Sequence, residues 1–167
     1  MYQREGKYAL AETSTAQVLS WRRHAFGPDS PPTLEAAAGL ALAYQSQGKF
    51  AGEPLSREVA AFYRTKRPDD WQRFRTESLL GAILAGQRRF AEAEPLLLEG
   101  YEGMAARKHQ IAVPDWYYLD LAGKWLVQFY IAWNKPKKRL SGRRELAESR
   151  GGLLLPARPC LTGLRPW

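Results

Sequence analysis

The chain has 167 residues, a formal net charge of +8, 45% hydrophobic and 25% charged residues, a balance that excludes wholesale disorder. One cysteine, Cys160, excludes an internal disulfide or a cysteine-based zinc site, and with only His24 and His109 beside it no metal cluster is expected. The longest apolar run, near residues 79–85, is far too short for a membrane span and the first residues lack the apolar core of a signal peptide, so a cytoplasmic protein without cofactors is expected.

A short motif recurs along the chain. Gly6-Lys7-Tyr8-Ala9-Leu10-Ala11-Glu12 returns as Gln47-Gly48-Lys49-Phe50-Ala51-Gly52-Glu53-Pro54-Leu55. It returns again as Gln87-Arg88-Arg89-Phe90-Ala91-Glu92-Ala93-Glu94-Pro95-Leu96, and Trp133-Asn134-Lys135-Pro136 is a degenerate fourth copy. The anchors Tyr8, Phe50 and Phe90 are 42 and 40 residues apart, the period of a helical repeat array. The first copy opens a helix over 6–25, which reads as the second half of a repeat whose first half is missing. Gly27-Pro28-Asp29-Ser30-Pro31-Pro32 breaks it, because the prolines lack donors and Ser30 or Asp29 suits a helix cap.

A helix over 31–46 follows, with Leu34, Ala37, Leu40, Ala41 and Tyr44 on one face. Gly48 supplies the bend before a helix over 49–66 that carries Val59, Phe62 and Tyr63. Pro68-Asp69-Asp70 caps a helix over 70–86 whose inner positions are Phe74, Glu77, Leu80, Gly81 and Leu84. Residues 89–108 pair with it through Leu96, Leu97, Gly100, Tyr101 and Met104, with Pro54 and Pro95 both expected inside their helices. Val113-Pro114-Asp115 precedes a helix over 115–133, and a last helix is expected over 136–149. No strand pattern occurs. The units are thus a half repeat 1–26, helix pairs 27–67, 68–112 and 113–149, and an irregular tail 150–167, in which six of the last 17 residues are Gly or Pro.

These residues, above all Gly27-Pro28-Asp29-Ser30-Pro31-Pro32-Thr33-Leu34, Leu40-Ala41 with Tyr44, and Gln47-Gly48-Lys49-Phe50, resemble the tetratricopeptide repeat family in its kinesin-light-chain-like form. The resemblance implies an all-α fold, an α-solenoid of antiparallel helix pairs stacked into a right-handed superhelix, acting as a non-catalytic scaffold for a peptide or partner protein. Arg88 stands where glycine is usual and Pro136 where an aromatic is usual. Residues 75–81 and 90–104, with Leu126–Tyr130 and Trp133–Pro136, also resemble the repeat region that follows the kinase domain of bacterial serine/threonine kinases. That implies a C-terminal fragment of a larger signalling protein, and the chain itself has no glycine-rich loop, HRD-type loop or DFG triplet.

A curved stack leaves a concave groove lined by the first helix of each pair. The residues offset from the core positions are Glu35, Ala38, Leu42 and Gln45, then Arg75, Ser78 and Ala82, then Leu121, Lys124, Gln128 and Ile131. Glu35, Leu42, Gln45, Arg75, Ser78, Lys124 and Gln128 are the candidate partner-binding residues, with Arg75 and Lys124 able to receive a carboxylate; the alternative is that they are ordinary solvated side chains. Trp125, Phe129 and Trp133 lie four apart and read as core or end packing, with a ligand-stacking site as the alternative. His24 and His109 fall near helix ends and neither has a catalytic arrangement around it. The remaining reading is nucleic-acid or acidic-partner binding through Lys135, Lys137, Lys138, Arg139, Arg143 and Arg144. Residues 1–133 carry a net charge of +1 and residues 134–167 a net of +7, which confines that reading to the basic end.

Overall fold

The computed structural model describes residues 8–134, with side chains from Glu12 onward. The helix expected over 136–149, the basic cluster and the tail lie outside the described residues. Among the described residues six α-helices follow one another: α1 Tyr8–Phe26, α2 Pro31–Ser46, α3 Glu53–Lys66, α4 Trp71–Gly86, α5 Phe90–Ala106 and α6 Trp116–Ala132. Short 3-10 turns at Phe50–Gly52, Lys108–Gln110 and Val113–Asp115 fill the joints. No strand occurs among the described residues.

Each helix packs on its neighbour in sequence, and α4 also touches α2 and α6. The result is an α-solenoid in which α2, α4 and α6 form one layer and α3 and α5 the other. Its core follows the 3.6-residue period. Leu34, Ala37, Leu40, Val59 and Tyr63 join α2 to α3, with Leu19 of α1 packed in. Phe74, Leu80, Leu84, Leu97, Tyr101, Met104, Leu126 and Phe129 join α4, α5 and α6. Every residue from Phe74 to Leu84 is buried.

The tightest seam runs between α4 and α5. A methyl group on Gly81 would stand 2.8 Å from Leu97 Cγ, one on Gly100 would stand 2.7 Å from the Phe74 carbonyl oxygen, and one on Gly103 would strike the Phe74 ring. The second glycine contacts Ser78, so that residue is spent on helix packing. Glu77 is also inside the array: its Oε1 accepts from Arg64 Nε of α3 at 2.6 Å and from Arg73 Nε at 3.0 Å. Two arginines thus neutralise a carboxylate that the helix buries completely.

The joints differ from the expectations in two respects. Ser30 stands at the N-cap of α2, but its hydroxyl donates to the Gly27 carbonyl and pairs with Thr33 Oγ1 and makes no cap bond. Asp70 does cap α4, accepting from the Gln72 amide at 3.0 Å. Pro54 is not in a helix interior: residues 50–52 take the 3-10 turn, so Pro54 falls in the first turn of α3, where a missing donor costs nothing. Pro95 does lie inside α5.

Gly48 ends the α2–α3 turn at φ +68°. Arg88 holds the equivalent place after α4 at φ 61°, and Asn134 after α6 at φ 57°. The polar residues of the motif link successive copies. Glu12 accepts from Lys49 Nζ at 2.6 Å and from Gln47 Nε2 at 3.4 Å. One unit later, Glu53 accepts from Gln87 Nε2 at 2.6 Å and from Arg89 Nη1 at 3.0 Å. Arg57, on the same helix, adds a third donor at 2.8 Å. Glu94, one unit on again, accepts from the Tyr130 hydroxyl at 3.2 Å.

Two outcomes are expected in denaturant and thermal unfolding. Arg88→Gly raises stability by about 0.5 kcal/mol, because glycine relieves the left-handed backbone but gains freedom in the unfolded chain, whereas Gly48→Ala lowers it by about 1 kcal/mol. Hydrogen bonds from Gln87 and then the arginines hold the Glu53 carboxyl below its ordinary value of 4.5. A lowered carboxyl contributes stability above that value and loses it as the pH falls through its folded-state pKa. Melting temperature should therefore drop on acidification below 4.5, with a shallower slope in Glu53→Gln.

Candidate functional site

The inner layer presents its open face along α2, α4 and α6, and two depressions follow one another there. The first is lined by Ala38, Gly39 and Leu42 of α2, Arg75 and Leu79 of α4, and Tyr118 and Trp125 of α6, with a volume of about 20 Å³. The second is lined by Gln45, Ala82, Ala85, Gly86, Trp125, Gln128, Phe129 and Ala132, with a volume of about 210 Å³. Trp125 belongs to both, so the two adjoin, and together they make up the trough of this face. The heptad-like offset between core-facing and trough-facing positions on α2 puts Leu40 and Ala41 inside and Leu42 and Gln45 at the surface.

Arg75 dominates the first depression. Its two Nη atoms donate to the two carboxylate oxygens of Glu35 at 3.2 and 3.0 Å, a forked pairing between α4 and α2. Its guanidinium carbon sits 4.3 Å from the ring centre of Tyr118 on α6 and 5.8 Å from that of Trp71. The Arg75 side chain is 10% exposed and that of Glu35 46%, so the pair is covered on one flank and wet on the other. Burial pushes the Tyr118 phenol above its ordinary value. This single side chain therefore ties three successive first helices together.

The second depression is apolar apart from two carboxamides. Gln45 of α2 and Gln128 of α6 have no side-chain hydrogen bond among the described residues, so each offers a donor and an acceptor. Its floor is aromatic: Phe129 packs edge-on against Phe90 at 5.9 Å between ring centres, and Trp133 stacks on Phe90 at 5.7 Å. Of the aromatic stripe, Trp133 and Phe129 pack in the core and at its end, while Trp125 does both jobs, buried at its base and facing the trough.

The candidate residues separate accordingly. Leu42 and Arg75 line the first depression; Gln45 and Gln128 line the second. Glu35 faces a third hollow beside α1, with Ser14, Val18 and Arg22, while its carboxylate reaches Arg75. Lys124 is exposed on α6, without an ion pair among the described residues, and lines neither depression. One expectation is corrected: Ser78 cannot line a groove, because it is fully buried against Gly100 in the α4–α5 seam. Arg75 already holds the Glu35 carboxylate with one N–H of each Nη. Gly39, Leu79, Tyr118 and Trp125 were not among the candidates. Of these, Trp125 is read as packing from its spacing, and only the approach of α6 to α4 brings it to the trough. Among the described residues no group of three His, Cys, Asp or Glu side chains could hold a metal ion, and no helix is long and apolar enough to cross a membrane.

Solved structures share this architecture. A protein from Podosopora anserina named for kinesin light chain and built of nearly identical TPR-like repeats superposes with a TM-score of 0.59 at 22% identity, covering 89% of this chain and 80% of that one. A variant form of that protein gives a TM-score of 0.71 at 18% identity over 92% of this chain and 72% of that one. The fold is therefore that of TPR-like helical repeats. No family model matches the chain, and no curated protein matches it.

The Glu35–Arg75 pair gives a direct stability test. Arg75→Met should lower unfolding free energy by about 1–2 kcal/mol and Glu35→Gln by about 0.5 kcal/mol, with the half-exposed carboxylate screened by water. In the double variant the losses should fall short of their sum, read as a coupling in denaturant midpoints.

Proposed function

We propose that this chain is a non-catalytic protein–protein interaction scaffold that receives a peptide or a partner's surface segment along the α2–α4–α6 face. One observation carries the reading: two adjoining depressions share Trp125, and the second carries the unengaged carboxamides Gln45 and Gln128. A preformed apolar depression with a few convergent polar groups is the usual shape of a binding site. Stacked helical repeats generate such an extended surface because each unit shows its neighbours one side and leaves the inner face open. The TPR-like fold generally mediates contacts between proteins, which supports the same reading. The likeness of residues 75–81 and 90–104 to the repeats behind bacterial serine/threonine kinase domains supports a place for the scaffold beside a signalling enzyme.

The test is a library of random peptides displayed and panned on the purified chain. Enriched peptides should lose binding to Ala132→Trp, which fills the second depression from an exposed position. They should weaken several-fold on Gln128→Ala and keep full binding to Glu99→Ala, exposed on α5. Peptides indifferent to Ala132→Trp would remove the trough from consideration.

A further inference from the structure

We propose that the outer face of α1 pairs with the same face of a second copy, two α1 helices lying antiparallel about a two-fold axis with Trp21 of each seated over Ser14 of the other. This contact lies outside the two trough depressions and stands independently of what the trough binds.

The repeat register shows what this face takes. Counted from the anchors Tyr8 and Phe90, Val18 and Trp21 hold the places that Gly100 and Gly103 hold on α5. Those glycines are where α4 runs closest, against Ser78 and Phe74, and the order of the contacts makes the two helices antiparallel. On α1 the same two places stand open to water: Val18 is 41% exposed and Trp21 61%. Among the described residues α1 packs on α2 through its other side, with Leu19 in that core. The open places therefore belong to a face that accepts an antiparallel helix.

Charge selects the helix. The eight exposed positions from Thr13 to Ala25 include no Asp, Glu, Lys or Arg. The water-facing sides of α3 and α5 do carry such charges, among them Arg57, Glu58, Glu99 and Glu102. A charge-free face meets itself without like-charge repulsion, although the chain carries a net +8. The other end of the stack is a poorer match. Counted back from Asn134 and Arg88, Asp120 and Lys124 of α6 hold the places of Phe74 and Ser78, and both are exposed. Against Trp21 and Val18 they would lose water with no counter-charge from α1.

Shape points the same way. A two-fold axis passing between positions 17 and 18 turns the second α1 antiparallel and sets residue 14 opposite residue 21. Ser14, Val18 and Trp21 lie on one stripe of α1, at spacings of four and three. Each indole then rests on a serine, and large and small residues alternate along the seam. Phe26 holds the indole from the side, with 5.5 Å between ring centres and the rings perpendicular. A tryptophan anchor in a two-fold contact acts twice.

Sedimentation velocity on the whole chain tests this. One helix per copy makes a small contact, so the mass should double from 18.9 kDa as the concentration rises through about 10–100 µM. Trp21→Lys, at an exposed place, should keep the circular dichroism spectrum and weaken the dimer at least about a hundredfold, while Tyr117→Lys on α6 should leave it unchanged. In a Cys160→Ser background, Gln17→Cys should give an intermolecular disulfide on mild oxidation, because the axis passes beside it. His24→Cys should not, its two copies standing about 20 Å apart along the helices. A monomer throughout, or a dimer indifferent to Trp21→Lys, would overturn the proposal. So would cross-linking of position 24 as readily as position 17, which requires parallel helices, and growth beyond a dimer, which requires a head-to-tail contact. A monomer that binds a synthetic helix of residues 31–46 through Trp21 would assign the face to a helix from another protein and overturn the pairing with a second copy.

Discussion

From Phe74 to Leu84 every residue of α4 is buried, and such a run can exist only where other helices cover most of its circumference. The neighbours of α4 are α3, α5, α2 and α6. Because the buried run includes Arg75, Thr76, Glu77 and Ser78, coverage alone is insufficient. Thr76 donates to the Gln72 carbonyl of its own helix. Glu77 draws Arg64 from α3, and Arg75 draws Glu35 from α2. The polar needs of one central helix thus help to fix where its neighbours stand. The glycines opposite it set how close α5 comes, since a side chain at Gly81, Gly100 or Gly103 would push the pair apart.

The same constraint shapes the inner face. Arg75 projects from the edge of a buried helix, so its charge must be met within reach, and the stack meets it with a carboxylate and an aromatic ring from the two adjacent first helices. What remains open beyond that cross-link is an apolar trough with amide edges. The pair that links α2 to α4 also places both of its charges at the edge of that face.

Much of the architecture could be read from the sequence because it depends on local rules. The helix spans follow from apolar spacing and from breakers such as Pro31, Pro32 and Gly48, and the 42- and 40-residue intervals between anchors announce the stacking. The 3-10 turn before α3, which moves Pro54 into the first helical turn, has no such signal. The trough was partly legible: Leu42, Gln45, Arg75 and Gln128 lie at offsets that face it. Ser78 shares that offset yet is buried, because α5 approaches at Gly100 more closely than an average helix would. Trp125 looks like core from its spacing, and only the neighbouring helix reveals its second exposure. The Glu35–Arg75 pairing spans 40 residues, and nothing local in either segment points to the other.

The clasp between motif copies has a different kind of consequence. Glu12 meets Gln47 and Lys49, and Glu53 meets Gln87 and Arg89, so one copy holds both the acceptor for the copy after it and the donors for the copy before it. A unit of this kind is self-complementary in tandem. If the segment were duplicated in the gene, the new copy would arrive with both halves of its joint already encoded, and the length of the array could change without any new interface having to be invented.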